Sequence, residues 1–273
     1  MTSNGKRVLV TGSAGFIGFH TCSKLLQQGA TVLGVDNFSA YYDVALKEAR
    51  TDILGNHAEF SLARVSIEDN DAFAAAWTAF EPDTVIHLAA QAGVRYSIDE
   101  PRSYIGANIV GTHNVLELAR HNPVRHLLAA STSSVYGANT EMPFEETQRT
   151  QTPLSLYAAT KGATELMGHS YSHLFGTPMT FFRFFTVYGP WAAVVVSASA
   201  ATNDDADTAD SAAYLMSFIA VSLHELSKRF WDTHTSYPRT ATDSGEHLAG
   251  ATESSGRESS SFGRFKPMSS TES

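Results

Sequence analysis

Residues 1–191 alternate short runs rich in β-branched residues with longer stretches of helical spacing. The short runs predict six strands, over 7–11, 31–36, 59–65, 84–88, 126–130 and 180–184. Between them, apolar residues recur every three or four positions and predict helices near 15–28, 44–54, 69–80, 100–121 and 154–175. Strands joined by helical crossovers pair in parallel and are covered by helices. The alternation therefore predicts a doubly wound α/β fold, which binds ligands at the carboxyl ends of its strands.

Three glycines at three-residue spacing, Gly12, Gly15 and Gly18, directly follow the first predicted strand. Spaced glycines also mark ordinary turns, but here they lie between a strand and a helix, and the second predicted strand ends in Asp36. Such glycines permit a tight turn, a close approach of backbone to a pyrophosphate, and close helix–sheet packing. Asp36 is placed to accept hydrogen bonds from ribose hydroxyls and would repel a 2′-phosphate. The pattern predicts a Rossmann-like dinucleotide site that prefers NAD to NADP.

Tyr157 and Lys161 stand four residues apart in a predicted helix, so the phenol and the ammonium share one face. A phenol with a pKa of about 10 is a poor base at neutral pH, but a nearby ammonium and a cationic nicotinamide ring favour the phenolate. The same spacing is common on ordinary amphipathic helices. Its position after a complete dinucleotide pattern favours the catalytic interpretation, and any of the four hydroxyl residues over 131–134 could be the third member.

These residues resemble the extended short-chain dehydrogenase/reductases that act on nucleotide sugars, the NAD-dependent epimerase/dehydratase family, and among them the UDP-glucuronate 4-epimerases. The similar stretches are distributed over residues 6–191, at 8–19, 36–50, 87–97, 131–140, 154–161 and 183–191. Each stretch alone is weak, whereas together they are specific. Ser133 and Ser134 precede Val135 where related dehydratases and decarboxylases carry acidic residues, so the resemblance favours epimerisation.

The resemblance implies an NAD-dependent isomerase of carbohydrate metabolism that converts UDP-glucuronate to UDP-galacturonate by transient oxidation at C4. Tyr157 would take the proton of the sugar 4-hydroxyl, Thr132 would steady that oxygen, and Lys161 would hold the cofactor ribose. The implied cofactor contacts are Gly12, Gly15, Phe16, Ile17, Gly18, Asp36, Asn37, Leu88, Ala89, Ala90, Tyr157 and Lys161. The implied substrate contacts are Arg95, Ser133, Ser134 and Thr186. The resemblance implies no metal. His87 is expected to be a packed core residue and not a catalyst. Relatives usually form homodimers through paired helices.

The chain departs from the family pattern at two places. Ser66 stands where an acidic residue is expected to contact the adenine, and Ala192 and Ala193 stand where the pattern has Gly-Arg, whose Arg is expected to hold the substrate carboxylate. Composition changes at the same place, because residues 192–273 hold 16 Ser whereas residues 1–191 hold 14. The resemblance is therefore expected to end at Trp191.

Two domains follow from this boundary: an NAD-binding domain over 1–191, and a low-complexity, largely disordered C-terminal segment over 192–273 in place of the usual substrate domain. One amphipathic helix is expected over 212–231. A frameshift near codon 192 is one hypothesis for the change, and sequencing the locus tests it. Two alternatives stay open: a catalytically inactive NAD-binding protein or truncated product, and an epimerase or oxidoreductase for another UDP-sugar.

Amino-acid composition bears on the partners and the cellular location of the protein. The formal net charge of −9 argues against a nucleic-acid partner, which would require a basic surface. No stretch approaches the roughly 20 apolar residues that span a bilayer, and the N-terminus lacks a signal-peptide pattern, so a cytoplasmic protein without a membrane partner is expected. The one cysteine, Cys22, excludes an intramolecular disulfide and is expected to be a small buried hydrophobe.

Overall fold

The structure is a computed structural model that describes residues 5–192 of the 273-residue chain. The expectations for residues 193–273, including the helix over 212–231, lie outside the described residues. Within those residues, one all-parallel sheet has the strand order β3-β2-β1-β4-β5-β6. Its strands are β1 (Arg7–Thr11), β2 (Thr31–Val35), β3 (Phe60–Ala63), β4 (Thr84–His87), β5 (His126–Thr132) and β6 (Met179–Phe184). The predicted doubly wound α/β fold is confirmed, with strand ends within two residues of the prediction.

The helices are α1 (Phe16–Gln27), α2 (Val44–Gly55), α3 (Asn70–Phe80), α4 (Tyr96–Asp99), α5 (Pro101–Tyr104), α6 (Gly111–His121) and α7 (Leu156–Phe175). The prediction of one regular helix over 100–121 was wrong in part. A separate turn, α4, comes first, and a π-helical segment, Ile105–Val110, separates α5 from α6. Pro101 cannot continue the preceding turn because it lacks an N–H, and it stands instead in the first turn of α5.

Helix α7 begins and ends at residues suited to those positions. The side chain of Ser155 accepts a hydrogen bond from the amide of Ala158 at the N-terminus. Gly176 ends the helix in the left-handed conformation, with a φ of 68°. These ends fix the 20-residue helix that carries Tyr157 and Lys161.

Two apolar clusters pack on opposite faces of the sheet. Because side chains alternate along a strand, Val8 and Val10 of β1 join a cluster with residues of α1, whereas Leu9 joins the one that contains Trp77 of α3. Cys22 belongs to the first cluster, where burial raises the pKa of its thiol. It is the small buried hydrophobe that was predicted.

Neighbouring strands β1 and β4 form the switch point of the sheet. From β1 the chain leads through α1 to β2 on one side, whereas β4 leads through α4–α6 to β5 on the other side. The connections therefore diverge at the carboxyl ends of β1 and β4 and leave a crevice there. No helix between residues 5 and 192 is long and apolar enough to cross a bilayer. In the same part of the chain, no group of three or more metal-binding side chains converges on one point.

Candidate functional site

A cleft of about 530 Å³ opens at the carboxyl ends of the strands. Predicted cofactor and catalytic residues from five separate parts of the sequence line it together. They are Gly12, Gly15, Phe16, Ile17, Gly18, Asp36, Asn37, Leu88, Ala89, Ala90, Thr132, Tyr157 and Lys161.

The glycines after β1 bring bare backbone to the cleft. Gly12 has a φ of +72°, and a Cβ there would lie 2.8 Å from the amide nitrogen of Ala89. A Cβ on Gly18 would overlap the carbonyl oxygen of Gly12. No side chain caps the N-terminus of α1 at Gly15, so its first amides are available to an anionic group. This cradle fits the pyrophosphate of a dinucleotide.

Asp36 lies at the end of β2, where its carboxylate is held on several sides. Oδ2 accepts a hydrogen bond from the amide of Ala14 (3.1 Å), and Oδ1 accepts one from the amide of Phe38 (2.8 Å). The Nζ atom of Lys47 lies 3.5 Å from Oδ1, and both side chains are almost fully buried. The carboxylate is therefore pre-positioned at the cleft wall, beside a lysine that the sequence analysis did not single out.

His87 supports the part of the cleft wall that follows β4. Its Nδ1 atom lies 2.8 Å from Oγ1 of Thr11, and its Nε2 atom lies 3.0 Å from Oγ1 of Thr112. The Thr11 hydroxyl in turn accepts hydrogen bonds from the amides of Leu88 and Ala89. Burial lowers the pKa of His87 to about 3, so the ring is neutral. The prediction of a packed core histidine is confirmed, and its hydrogen bonds fix the backbone at the cleft.

Thr132, Tyr157 and Lys161 all line this cleft. Burial raises the pKa of Tyr157 above its ordinary value, and a hydrogen bond from Thr132 opposes that rise. Burial also lowers the pKa of Lys161 to about 8, against the opposing effect of nearby Glu165. Loss of water around the phenol outweighs the effect of the Thr132 hydroxyl, and the lowering of the Tyr157 pKa by a cationic nicotinamide ring stays a prediction.

A polar network behind this group separates the four neighbouring hydroxyl residues. The Ser131 hydroxyl donates to Oε1 of Glu165, which also accepts from Nε of Arg183 at 3.1 Å. Nη2 of Arg183 donates to the second oxygen of Glu165 at 2.8 Å. The hydroxyl of Ser131 is thus occupied by Glu165, whereas Thr132 lines the cleft with Tyr157, and the catalytic role of Thr132 stays a prediction.

Asn108 is a structural partner that the sequence analysis missed. It is fully buried in the π-helical segment. Its Nδ2 atom donates to the carbonyl of Gln91 (3.1 Å) and to Oγ1 of Thr160 (3.0 Å), and its Oδ1 atom accepts from the amide of Gln91 (2.8 Å). Asn108 therefore connects the segment that follows β4 to helix α7. In the sequence, the signal for this role of Asn108 was that a polar residue stands at an inward-facing position of a predicted helix.

The four predicted substrate contacts do not lie in the wall of this cleft as the described residues form it. Arg95 and Thr186 are exposed, and the other two, Ser133 and Ser134, lie in a 3₁₀ turn, Ser133–Tyr136, after β5. Aromatic side chains, including Tyr41, Phe184 and Phe185, line the cleft in their place. All four stay predictions.

Ser66 also lies outside the cleft wall, and its hydroxyl accepts a hydrogen bond from the amide of Glu68 (3.3 Å). Glu68, two residues after Ser66, is an acidic side chain that does line the cleft.

The sheet order, the glycine cradle and the Thr132–Tyr157–Lys161 group define a dinucleotide-binding α/β protein. The chain belongs to the NAD dependent epimerase/dehydratase family, whose model matches residues 8–211 and so extends beyond Trp191. NAD is the cofactor, and the glycine cradle fits it.

Individual relatives agree with this assignment. A probable UDP-glucuronate 4-epimerase of Rhizobium meliloti (strain 1021) is 53% identical over 185 residues, which are 68% of this chain and 54% of the relative. UDP-glucuronate 4-epimerase 2 of Arabidopsis thaliana is 48% identical, over 70% of this chain and 44% of the relative. The crystal structure of the UDP-glucuronic acid 4-epimerase from Bacillus cereus with UDP-glucuronic acid and NAD is 36% identical, with a TM-score of 0.64, over 68% and 58% of the two chains. The chain thus spans about half the length of the curated relatives it matches.

Proposed function

We propose that this chain carries the cofactor and proton-transfer machinery of a nucleotide-sugar 4-epimerase that interconverts UDP-glucuronate and UDP-galacturonate. The observation that carries the proposal is that Thr132, Tyr157 and Lys161 line the same cleft as the glycine cradle. Relatives named UDP-glucuronate 4-epimerase, about half identical to this chain, support the substrate class.

Each residue of the group has one task in this reaction. The Tyr157 phenolic oxygen removes the proton of the sugar 4-hydroxyl and later returns it. Thr132, which lines the same cleft, holds the orientation of the phenol and shares the sugar oxygen. Lys161 binds the ribose of the cofactor and, while charged, favours the phenolate. NAD, when bound, supplies a reversible hydride acceptor for the sugar C4. Arg95, Ser133, Ser134 and Thr186 are the proposed substrate contacts.

The test uses the full chain, NAD and UDP-glucuronate, with UDP-galacturonate measured by chromatography. Turnover is expected, and Tyr157→Phe is expected to reduce it by about 10³-fold, since the phenyl ring keeps its packing but cannot accept a proton. Binding of NAD by the variant, measured by calorimetry, should stay within about threefold of the wild-type value because the hydroxyl is one contact among many. Turnover of UDP-glucose with none of UDP-glucuronate would assign another UDP-sugar as substrate.

A second candidate is an NAD-binding protein without turnover. It is favoured by the exposed positions of Arg95 and Thr186, which do not line the cleft. Retention of NAD without formation of UDP-galacturonate would favour this alternative.

A homodimer is also proposed, through the outward face of α7, on which Leu166 and Leu174 are 73% and 65% exposed. A monomeric mass in analytical ultracentrifugation would contradict it.

The cytoplasm is proposed as the location because the one cysteine is buried as a free thiol, and a cell-fractionation experiment tests this.

A further inference from the structure

Lys47 is a buried cation in the wall of the cofactor cleft. It lies in the first half of α2, is 5% exposed, and lines the cleft together with Asp36 and Ser39. Its Nζ atom lies 3.5 Å from Oδ1 of Asp36, 3.3 Å from the hydroxyl of Ser39, and 5.0 Å from the ring centre of Tyr42. A buried lysine of this kind requires partners for its polar end, and the carboxylate of Asp36 and the hydroxyl of Ser39 supply them.

Lys47 lies beside Asp36, the residue expected to bind the adenosine ribose. In dinucleotide-binding folds, the acidic residue after the second strand accepts hydrogen bonds from the ribose, and a cation at this site accommodates a 2′-phosphate. This chain holds both kinds of group within one ion pair. Asp36 already accepts hydrogen bonds from the amides of Ala14 and Phe38, so its orientation does not depend on Lys47 alone.

Other basic side chains near this point are occupied elsewhere. Arg50 is fully buried, and its guanidinium donates to the carbonyls of Ala14 and Trp191 and to the hydroxyl of Tyr42. Arg64 forms an exposed pair with Glu48. Among residues 5–192, Lys47 is therefore the basic side chain that lines the cleft beside Asp36.

We propose that Lys47 is a second determinant of cofactor choice, which is masked by Asp36. While the carboxylate is present, it repels a 2′-phosphate and neutralises the ammonium, so the site selects NAD. If the carboxylate is removed, the ammonium and the Ser39 hydroxyl become a receptor for the 2′-phosphate of NADP. This inference rests on the proposed dinucleotide binding, and it assigns to Lys47 a role that opposes the selectivity set by Asp36.

The test measures NAD and NADP binding to the full chain by isothermal titration calorimetry, with Asp36→Ser, Lys47→Met and the double variant. Asp36→Ser is expected to shift the NADP-to-NAD preference by about 100-fold towards NADP, since it removes a repulsion and frees a cation. Adding Lys47→Met should cancel at least tenfold of that shift. The matched control adds Lys24→Met to Asp36→Ser, since Lys24 is an exposed lysine of α1 whose loss changes the net charge equally.

The outcomes separate the two proposals. If the double variant Asp36→Ser with Lys47→Met prefers NADP as strongly as Asp36→Ser does, Lys47 has no part in the choice. If Asp36→Ser keeps its NAD affinity and gains none for NADP, the masked site does not exist. A wild-type chain that binds neither dinucleotide overturns the proposed function itself. Circular dichroism of each variant confirms that the comparison is between folded proteins.

Discussion

The two sides of the cleft are constructed differently. On the cofactor side, Asp36 and His87 are almost fully buried and each is held by at least two hydrogen bonds. On the opposite side, Tyr41 and Phe185 are 40% and 59% exposed, and every residue of β6 is only partly buried. The cofactor side is therefore supported by its own contacts, whereas the other side presents apolar rings that further contacts would stabilise.

Position in the sheet explains much of this difference. Strand β1 has a parallel neighbour on each side, so four of its five residues are buried. Strand β6 pairs with β5 and stands at the edge of the sheet formed by residues 5–192. Residues at the carboxyl end of β1 therefore occupy a rigid place, whereas those after β6 have fewer neighbours.

The largest effect expected from this comparison is that of Gly18→Ala on the cofactor side. The added methyl would overlap the carbonyl oxygen of Gly12, so the cradle cannot keep its form. NAD affinity should fall by about 100-fold or more, measured by calorimetry, because the displaced backbone is the proposed pyrophosphate contact.

Gly162→Ala is the matched control, since nothing lies within 4 Å of a Cβ at Gly162 in α7. This variant should leave NAD affinity unchanged and stabilise the chain by about 0.5–1 kcal/mol, because alanine is the better helix former. Equal losses of affinity in the two variants would show that the cradle is not the binding site.

A smaller effect, on stability, is expected from Lys161→Met. Burial lowers the pKa of Lys161 to about 8 from an unfolded value of 10.5, so folding is opposed by the charged form. This opposition is fully present below pH 8 and disappears as the pH rises towards 10.5. At pH 7 the variant should be more stable than the wild type by on the order of 1–3 kcal/mol, and the gain should vanish near pH 10.5.

Urea denaturation at pH 7, 8.5 and 10 measures this gain, with Lys24→Met as the exposed-lysine control. A variant that is less stable than the wild type at pH 7 would show that the Lys161 charge is fully compensated in the fold. The gain, if found, would show that the proposed catalytic position lowers the stability of the fold while it holds a lysine with a lowered pKa.

The sequence analysis succeeded where local spacing decides structure. The three glycines, Asp36, and the Tyr157–Lys161 pair are set by positions along one strand or one helix, so the chain itself encodes their arrangement. Periodicity also gave the strands and most of the helices within two residues.

Contacts between distant elements were missed. Lys47 meets Asp36 from another element, Asn108 meets Thr160 across 52 positions, and Arg183 meets Glu165 from β6. Periodicity tells which face of an element is polar but not which side chain it meets. The π-helical segment that places Asn108 was missed for a related reason, since a one-residue widening of a helix has no strong compositional signal.

The smallest effect is expected on the open side of the cleft, from Phe185→Ser. The ring is 59% exposed, so its removal withdraws little apolar area from the protein interior. The free energy of unfolding should change by no more than about 0.5 kcal/mol. The buried counterpart is Phe73→Ser, at a fully buried core position where loss of the ring should cost about 3–5 kcal/mol. Urea denaturation of both variants measures the contrast. A loss above about 2 kcal/mol for Phe185→Ser would mean that the ring is covered in the folded chain, and the two sides of the cleft would then be equally supported.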